Sequence, residues 1–131
     1  MTQIEIVEFW ANKAKEELVS AQIMLDAGRY LYMGFMCQQS IEKAMKAYFI
    51  FLYDEIHPQT HSLNALAKKT KLDEKMQDSQ KETLKKLDPL YINTRYEDYK
   101  NDVSSLLTAE YCKVLFKETE DLCLWIMELL K

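Results

Sequence analysis

Residues Leu31–Tyr53 read LYMGFMCQQSIEKAMKAYFIFLY, and this stretch decides the fold. Leu31, Phe35, Met45, Tyr48, Phe49 and Leu52 mark one apolar side of a helix, and Met33, Cys37, Ala44, Ala47 and Phe51 mark another. Only Gln38, Gln39, Glu42, Lys43 and Lys46 remain as a narrow polar strip. A helix apolar over most of its circumference packs on several sides, against its own bundle and against a second subunit. Pro58 stops any continuation past Ile56.

The flanking sequence is helical too. Thr2 and Glu5 have the spacing of a capping box. Ile6, Trp10, Ala14, Leu18, Ala21 and Leu25 then recur every three or four positions, and Gly28 ends that first helix. A short third helix is expected after His61, capped by Thr60 or Ser62, with Leu63, Leu66 and Ala67 inward. Asp73 is the expected cap of a fourth helix running to about Leu87, and Asp88-Pro89 then breaks the chain. A last helix spans about Thr108 to Leu130, with Tyr111, Leu115, Leu122, Trp125, Ile126 and Leu129 on its core face. The expectation is an all-α antiparallel bundle of four or five helices, built as one domain over residues 1–131.

Composition agrees and narrows the function classes. Two glycines and two prolines in 131 residues leave little turn chemistry for an all-β fold. A net charge of -4 argues against a broad, sequence-independent nucleic-acid surface. The lysines between Lys68 and Lys86 alternate with Asp73, Glu74, Asp78 and Glu82, as on a solvated helix face. Cys37, Cys112 and Cys123 are odd in number, far apart and set in apolar helical sequence, which fits buried thiols in a reducing cytoplasm. No uninterrupted apolar run approaches the roughly 20 residues that cross a bilayer, and the start of the chain does not read as a secretory signal.

One polar stretch carries chemistry: Asn93-Thr94-Arg95-Tyr96-Glu97-Asp98-Tyr99. Arg95 is one of two arginines in the chain, and Tyr91, Tyr96 and Tyr99 stand near it in sequence. A guanidinium bonds an anionic oxygen pair bidentately while aromatic rings stack on a base, so Arg95, Tyr96 and Tyr99 are candidate phosphate or nucleotide ligands. Gln39, Lys43 and Lys46 could form a polar wall facing Arg95, or simply hydrogen bonds that hold the bundle in register. His57 and His61 have the i, i+4 spacing of a chelating pair, but Pro58 between them disfavours a continuous helix, so no metal site is expected. No glycine-rich phosphate loop is present, and no cofactor is implied.

Taken in order, these residues resemble a family. Trp10 with Ala14-Lys15-Glu16-Glu17-Leu18, then Ala27-Gly28-Arg29-Tyr30, Cys37 through Ala47, Thr60-His61-Ser62-Leu63 with Leu66, and Arg95-Tyr96 resemble the HEPN (higher eukaryotes and prokaryotes nucleotide-binding) domain over nearly the whole chain. The resemblance implies an up-and-down helical bundle that homodimerises. It also implies a stand-alone prokaryotic type paired with a minimal nucleotidyltransferase as a toxin–antitoxin system. Many members are metal-independent ribonucleases with an arginine followed, after four to six residues, by a histidine. Here those places hold Lys100, Asn101 and Asp102, and the residue after the arginine is Tyr96 rather than a small polar one. The tyrosine that some partners carry as a target of nucleotidyl transfer is also missing, with Asp102 in its place.

Histidine suits metal-free RNA cleavage because its ordinary pKa, about 6.5, lets it move protons near neutrality. Arginine stabilises charge on phosphate but shuttles no proton. The leading expectation is therefore a homodimer that binds nucleotide or RNA phosphate at Arg95 and works with a nucleotidyltransferase, without an intact nuclease motif. Two alternatives stand beside it. One is a metal-independent ribonuclease toxin using Arg95 with His57 or His61, and the other is a purely structural dimerisation module.

Overall fold

The computed structural model describes residues 1–91 and 105–131. These form five α-helices and no strand: α1 (Gln3–Asp26), α2 (Tyr30–Tyr53), α3 (Leu63–Lys69), α4 (Asp78–Leu87) and α5 (Ala109–Glu128), with single 3₁₀ turns at Leu72–Glu74 and Asp88–Leu90. The fold is the helical bundle expected from periodicity.

Helix α1 starts as its first residues dictate. The Thr2 hydroxyl accepts from the Glu5 backbone N–H, and the Glu5 carboxylate accepts from the Thr2 N–H, satisfying two amides that a helix start leaves orphaned. Gly28, at φ +72°, supplies the left-handed residue of the tight turn into α2. The chain thus reverses within three residues, and α1 and α2 pack antiparallel as the most extensive contact of the bundle. Two cross-links show the alignment. Gln3 Nε2 donates to the carbonyls of Ile50 (2.9 Å) and Phe51 (3.2 Å), and Ser40 Oγ donates to the Ala14 carbonyl (3.0 Å). Ala14 and Ala21, small enough to let the two helices approach, are fully buried along this seam.

Helix α2 is the axis of the molecule. Met33, Cys37, Ile41, Ala44 and Met45 are sealed from solvent by α1, α3 and α5 together. Its own bundle covers most of its circumference, and large apolar side chains emerge mainly at its last turn, at Phe51, Leu52 and Tyr53. Helix α5 contributes Cys112, Leu115, Leu122, Cys123 and Ile126 to the same core and leaves Val114 and Leu124 exposed.

Helix α2 ends at Tyr53, as the sequence leads one to expect, where Asp54 adopts the left-handed conformation (φ +49°) and closes the ladder with a hydrogen bond from its N–H to the Ile50 carbonyl. One boundary departs from the sequence expectation. The fourth helix does not start at Asp73. That residue falls in a 3₁₀ turn entered through Lys71 at φ +59°, and α4 begins after Gln77, whose backbone N–H donates to Gln80 Oε1 (2.9 Å). Leu72 and Met76, both buried, pull this stretch inward and use the residues a longer helix would need. By contrast, Ser62 caps α3 and Thr108 caps α5 as their residue types suggest.

The three thiols are free and buried. Loss of hydration pushes Cys37 up to about 12 and Cys112 up to about 11 from an ordinary 9.0, and it raises Cys123 as well. An unfolded chain releases these protons above pH 9.0, whereas the native thiols hold them, so the stabilisation is whole below 9.0 and drains away as pH climbs towards about 12. The urea midpoint is therefore expected to fall between about pH 8 and about pH 10.5. Replacing Cys37 with Ala should reduce that fall, and an equal fall in the variant would refute the assignment.

Candidate functional site

Helix α2 carries charge into the core. Gln38, Glu42 and Lys46, spaced by four, occupy one line of the helix and are all buried. A carboxylate and an ammonium removed from water must find partners, since an unpaired buried charge is strongly destabilising. Lys46 Nζ bonds Glu42 Oε2 at 2.9 Å, one turn away. The other oxygen, Oε1, takes His61 Nδ1 at 3.0 Å and the side-chain amides of Gln38 and Gln39 at 3.3 Å each. Among the described residues no buried side-chain nitrogen or oxygen lacks a partner.

His61 reaches Glu42 because the loop after α2 returns across that helix. Gln38 Nε2 donates to the His61 carbonyl at 2.9 Å and fixes the backbone there. The Tyr91 ring stacks on the imidazole with centroids 4.0 Å apart and planes 13° from parallel. A carboxylate that already accepts from an ammonium and two amides has only lone pairs to offer, so Nδ1 carries the hydrogen of the His61–Glu42 bond. The imidazole stays half-exposed while Glu42 is closed off, at 54% and 3% side-chain exposure.

The surrounding segments converge on the same place. Asp88 accepts from the backbone amides of Leu63 (2.7 Å) and Asn64 (3.5 Å) and from the Asn64 side chain (2.8 Å), tying the 3₁₀ turn before Tyr91 to the start of α3. On α2, Gly34 lets this turn come close. A Cβ at that position would stand 3.0 Å from Leu90 Cδ1 and 3.8 Å from Leu107 Cδ1. Leu90 and Leu107 flank the stretch 92–104 in sequence, and both pack beside Gly34.

The sequence candidates are distributed as follows. Arg95, Tyr96 and Tyr99 lie outside the described residues. Lys46 and Gln39 belong to the Glu42 cluster. Lys43 does not; it pairs with Glu17 across the α1–α2 seam. His57 packs edge-on against Trp10 at 4.8 Å, with Nδ1 3.2 Å from the Pro58 carbonyl, and makes no contact with the Glu42 carboxylate. His61 is the histidine with an acid–base partner. Sequence reasoning missed Glu42 as that partner and Tyr91 as the stacking ring. The available signal was the four-residue spacing of Gln38, Glu42 and Lys46 on a helix otherwise apolar all round, which places polar groups where only other polar groups can satisfy them.

No group of three or more potential metal-ligating side chains clusters among the described residues. No helix among them is long and apolar enough to cross a membrane.

Removing Lys46 alone strands a carboxylate in the core. Lys46→Met is expected to cost about 3–5 kcal/mol in urea unfolding. Lys13→Ala, which breaks a surface pair with Glu16, should cost less than about 1 kcal/mol. Replacing Glu42 with Leu in the Lys46→Met background should recover most of the loss, because an apolar pair needs no charge compensation. If Lys46→Met is no worse than Lys13→Ala, Glu42 and Lys46 are not a desolvated pair.

Comparison with known proteins agrees with this architecture. Two crystal structures share the fold. TT1696 from Thermus thermophilus superposes with a TM-score of 0.75 at 24% identity, covering 93% of this chain and 96% of that one. ST0689, an archaeal HEPN homologue, gives a TM-score of 0.72 at 23% identity, covering 95% of this chain and 98% of that one. At such identities the likeness speaks for the fold alone. No curated protein matches the sequence at a significant level. The HEPN domain family matches residues 7–130. With that span inside the bundle described above, the chain belongs to the HEPN domain family.

Proposed function

We propose that this HEPN-domain protein is a homodimer that binds nucleotide or RNA phosphate through Arg95, and that it acts with a minimal nucleotidyltransferase in a toxin–antitoxin-like pair in the cytoplasm. One observation carries the reading: the His61–Tyr91 stack at the edge of the Glu42 cluster. Arg95 follows Tyr91 by four residues, a length of chain that spans at most about 14 Å. The cluster offers a half-exposed imidazole and an aromatic face, both useful to an anionic, base-bearing ligand. Tyr96 and Tyr99 supply further rings on the same segment, and Gln39 and Lys46 belong to the polar ground beneath. The absence of histidine at positions 100–102 supports binding over cleavage.

The homodimer has its own support. Ile4, Val7, Ala11, Phe51, Leu124 and Met127 line a largely apolar groove of about 590 Å³ between α1 and α5, bordered by Glu8, Lys15, Glu128 and Lys131. Apolar surface of this kind marks association sites, and charges of both signs at the rim suit a self-complementary interface.

A second reading, a metal-independent ribonuclease using Arg95 with His61, is favoured by the buried carboxylate behind His61. Carboxylates orient catalytic imidazoles in this way.

Arg95→Ala should weaken binding of a short RNA oligonucleotide at least about tenfold, the loss expected for a charge-assisted phosphate contact. The fold should be unchanged by circular dichroism. Light scattering should report a dimer at micromolar protein, and a neighbouring nucleotidyltransferase should co-purify. Wild-type protein that binds no nucleotide or RNA would leave only the structural dimerisation module. RNA cleavage that is lost in both Arg95→Ala and His61→Asn would establish the ribonuclease instead.

A further inference from the structure

The His61 imidazole is held at one ring nitrogen and on one face. Its Nδ1 is held 3.0 Å from Glu42 Oε1, one ring face is covered by Tyr91 at 4.0 Å, and its backbone carbonyl is held by Gln38. The ring as a whole is half-exposed, and among the described residues no group hydrogen-bonds its Nε2. A ring pinned at Nδ1 by a buried carboxylate presents Nε2 in a set direction, and the hydrogen on Nδ1 leaves Nε2 with its lone pair.

We infer that His61 Nε2 is a direct contact for a phosphodiester oxygen, that Glu42 is the residue positioning it, and that the ligand's arrival adds a proton at Nε2. This rests on the phosphate-binding reading above and deepens it. Each charged group beside the ring already has partners of its own. Glu42 and Lys46 on α2 form a mutually neutralising pair at 2.9 Å. Asp88, before Tyr91, spends its carboxylate on the amides at the start of α3. Tyr91 contributes an uncharged ring, and His57 is turned onto Trp10. A phosphate oxygen at Nε2 places an anion within hydrogen-bond distance of the ring, which favours the imidazolium, whose Nε2–H then donates to it. Linkage makes the effect reciprocal: if the anion promotes proton uptake, lower pH tightens anion binding.

Glu42 is a positioning residue in this scheme. It touches no ligand, and its contribution is the choice of tautomer and ring orientation. Lys46 serves one step further back by pairing with Glu42 and holding its carboxylate in place. The ligand class is a phosphodiester with a flanking base, since the Tyr91–His61 stack provides an aromatic edge beside the anion contact.

Two measurements test this. In ligand-free protein, long-range proton–nitrogen NMR of the imidazoles should show His61 as the Nδ1–H tautomer near neutral pH. The double replacement Glu42→Leu with Lys46→Met, which removes both charges together, should shift the ring towards the Nε2–H form. The second measurement is calorimetric titration with the dinucleotide ApA, whose diester does not titrate in histidine's range. Binding should weaken at least about tenfold between roughly pH 5.5 and 8, with proton uptake revealed by buffers of different ionisation enthalpy. In His61→Asn, and separately in His61→Gln, affinity should be low and flat with pH.

An Nε2–H tautomer in the free wild-type protein would overturn the inference, as would His61 variants that bind ApA with wild-type affinity and pH dependence. If ApA binding depends on Arg95 but not on His61, the phosphate-binding reading stands and this inference falls. If the wild type binds no ApA at either pH, both fall.

Discussion

A carboxylate and an ammonium sit inside the bundle on the helix that everything else packs around. Glu42 and Lys46 are nearly closed to water, so each depends on the other and on the groups brought to them. That requirement organises the neighbourhood. The amides of Gln38 and Gln39 turn inward to Glu42, the loop after α2 comes back to deliver His61, and the His61 carbonyl is tied to Gln38. Apolar contacts hold α2 in place, but they do not specify which way this loop runs. The polar cluster supplies that direction.

From the cluster outward, each contact positions the next. His61 receives Tyr91, and Asp88 just before it binds the first amides of α3. Gly34 permits Leu90 and Leu107 to approach α2 side by side, where any larger residue would crowd Leu90. The segments flanking 92–104 are therefore secured to one half of α2, beside the half-exposed imidazole.

The chemistry of the cluster alone serves binding and cleavage equally. An imidazole backed by a carboxylate suits either a contact to an anion or proton transfer with a hydroxyl. What distinguishes the two is whether a charge-stabilising group and a reactive hydroxyl meet it in line. The nuclease-type histidine after Arg95 is missing from the sequence, while His61, far from it along the chain, is the one with a partner. Phosphate recognition needs fewer coincidences than cleavage, and it is the reading supported here.

Most of the architecture was legible in the residues. The capping box at Thr2, the glycine after α1, the caps at Ser62 and Thr108 and the apolar stripes of α1, α2 and α5 all express local rules acting over a few residues. Where local rules competed, the reading slipped. Asp73 looks like a cap, yet burial of Leu72 and Met76 placed it in a 3₁₀ turn. The site was less legible. Gln39, Lys43 and Lys46 share a strip in sequence, but only the packed helices sent Lys43 to Glu17 and Lys46 to Glu42. His57 and His61 are equivalent by spacing, and the return path of one loop distinguished them, because a charge buried in α2 needs partners from wherever the folded chain can bring them. Periodicity determines which faces are apolar, since that depends on helical geometry alone. Which polar groups meet depends on residues far apart in the chain and is decided only when the bundle closes.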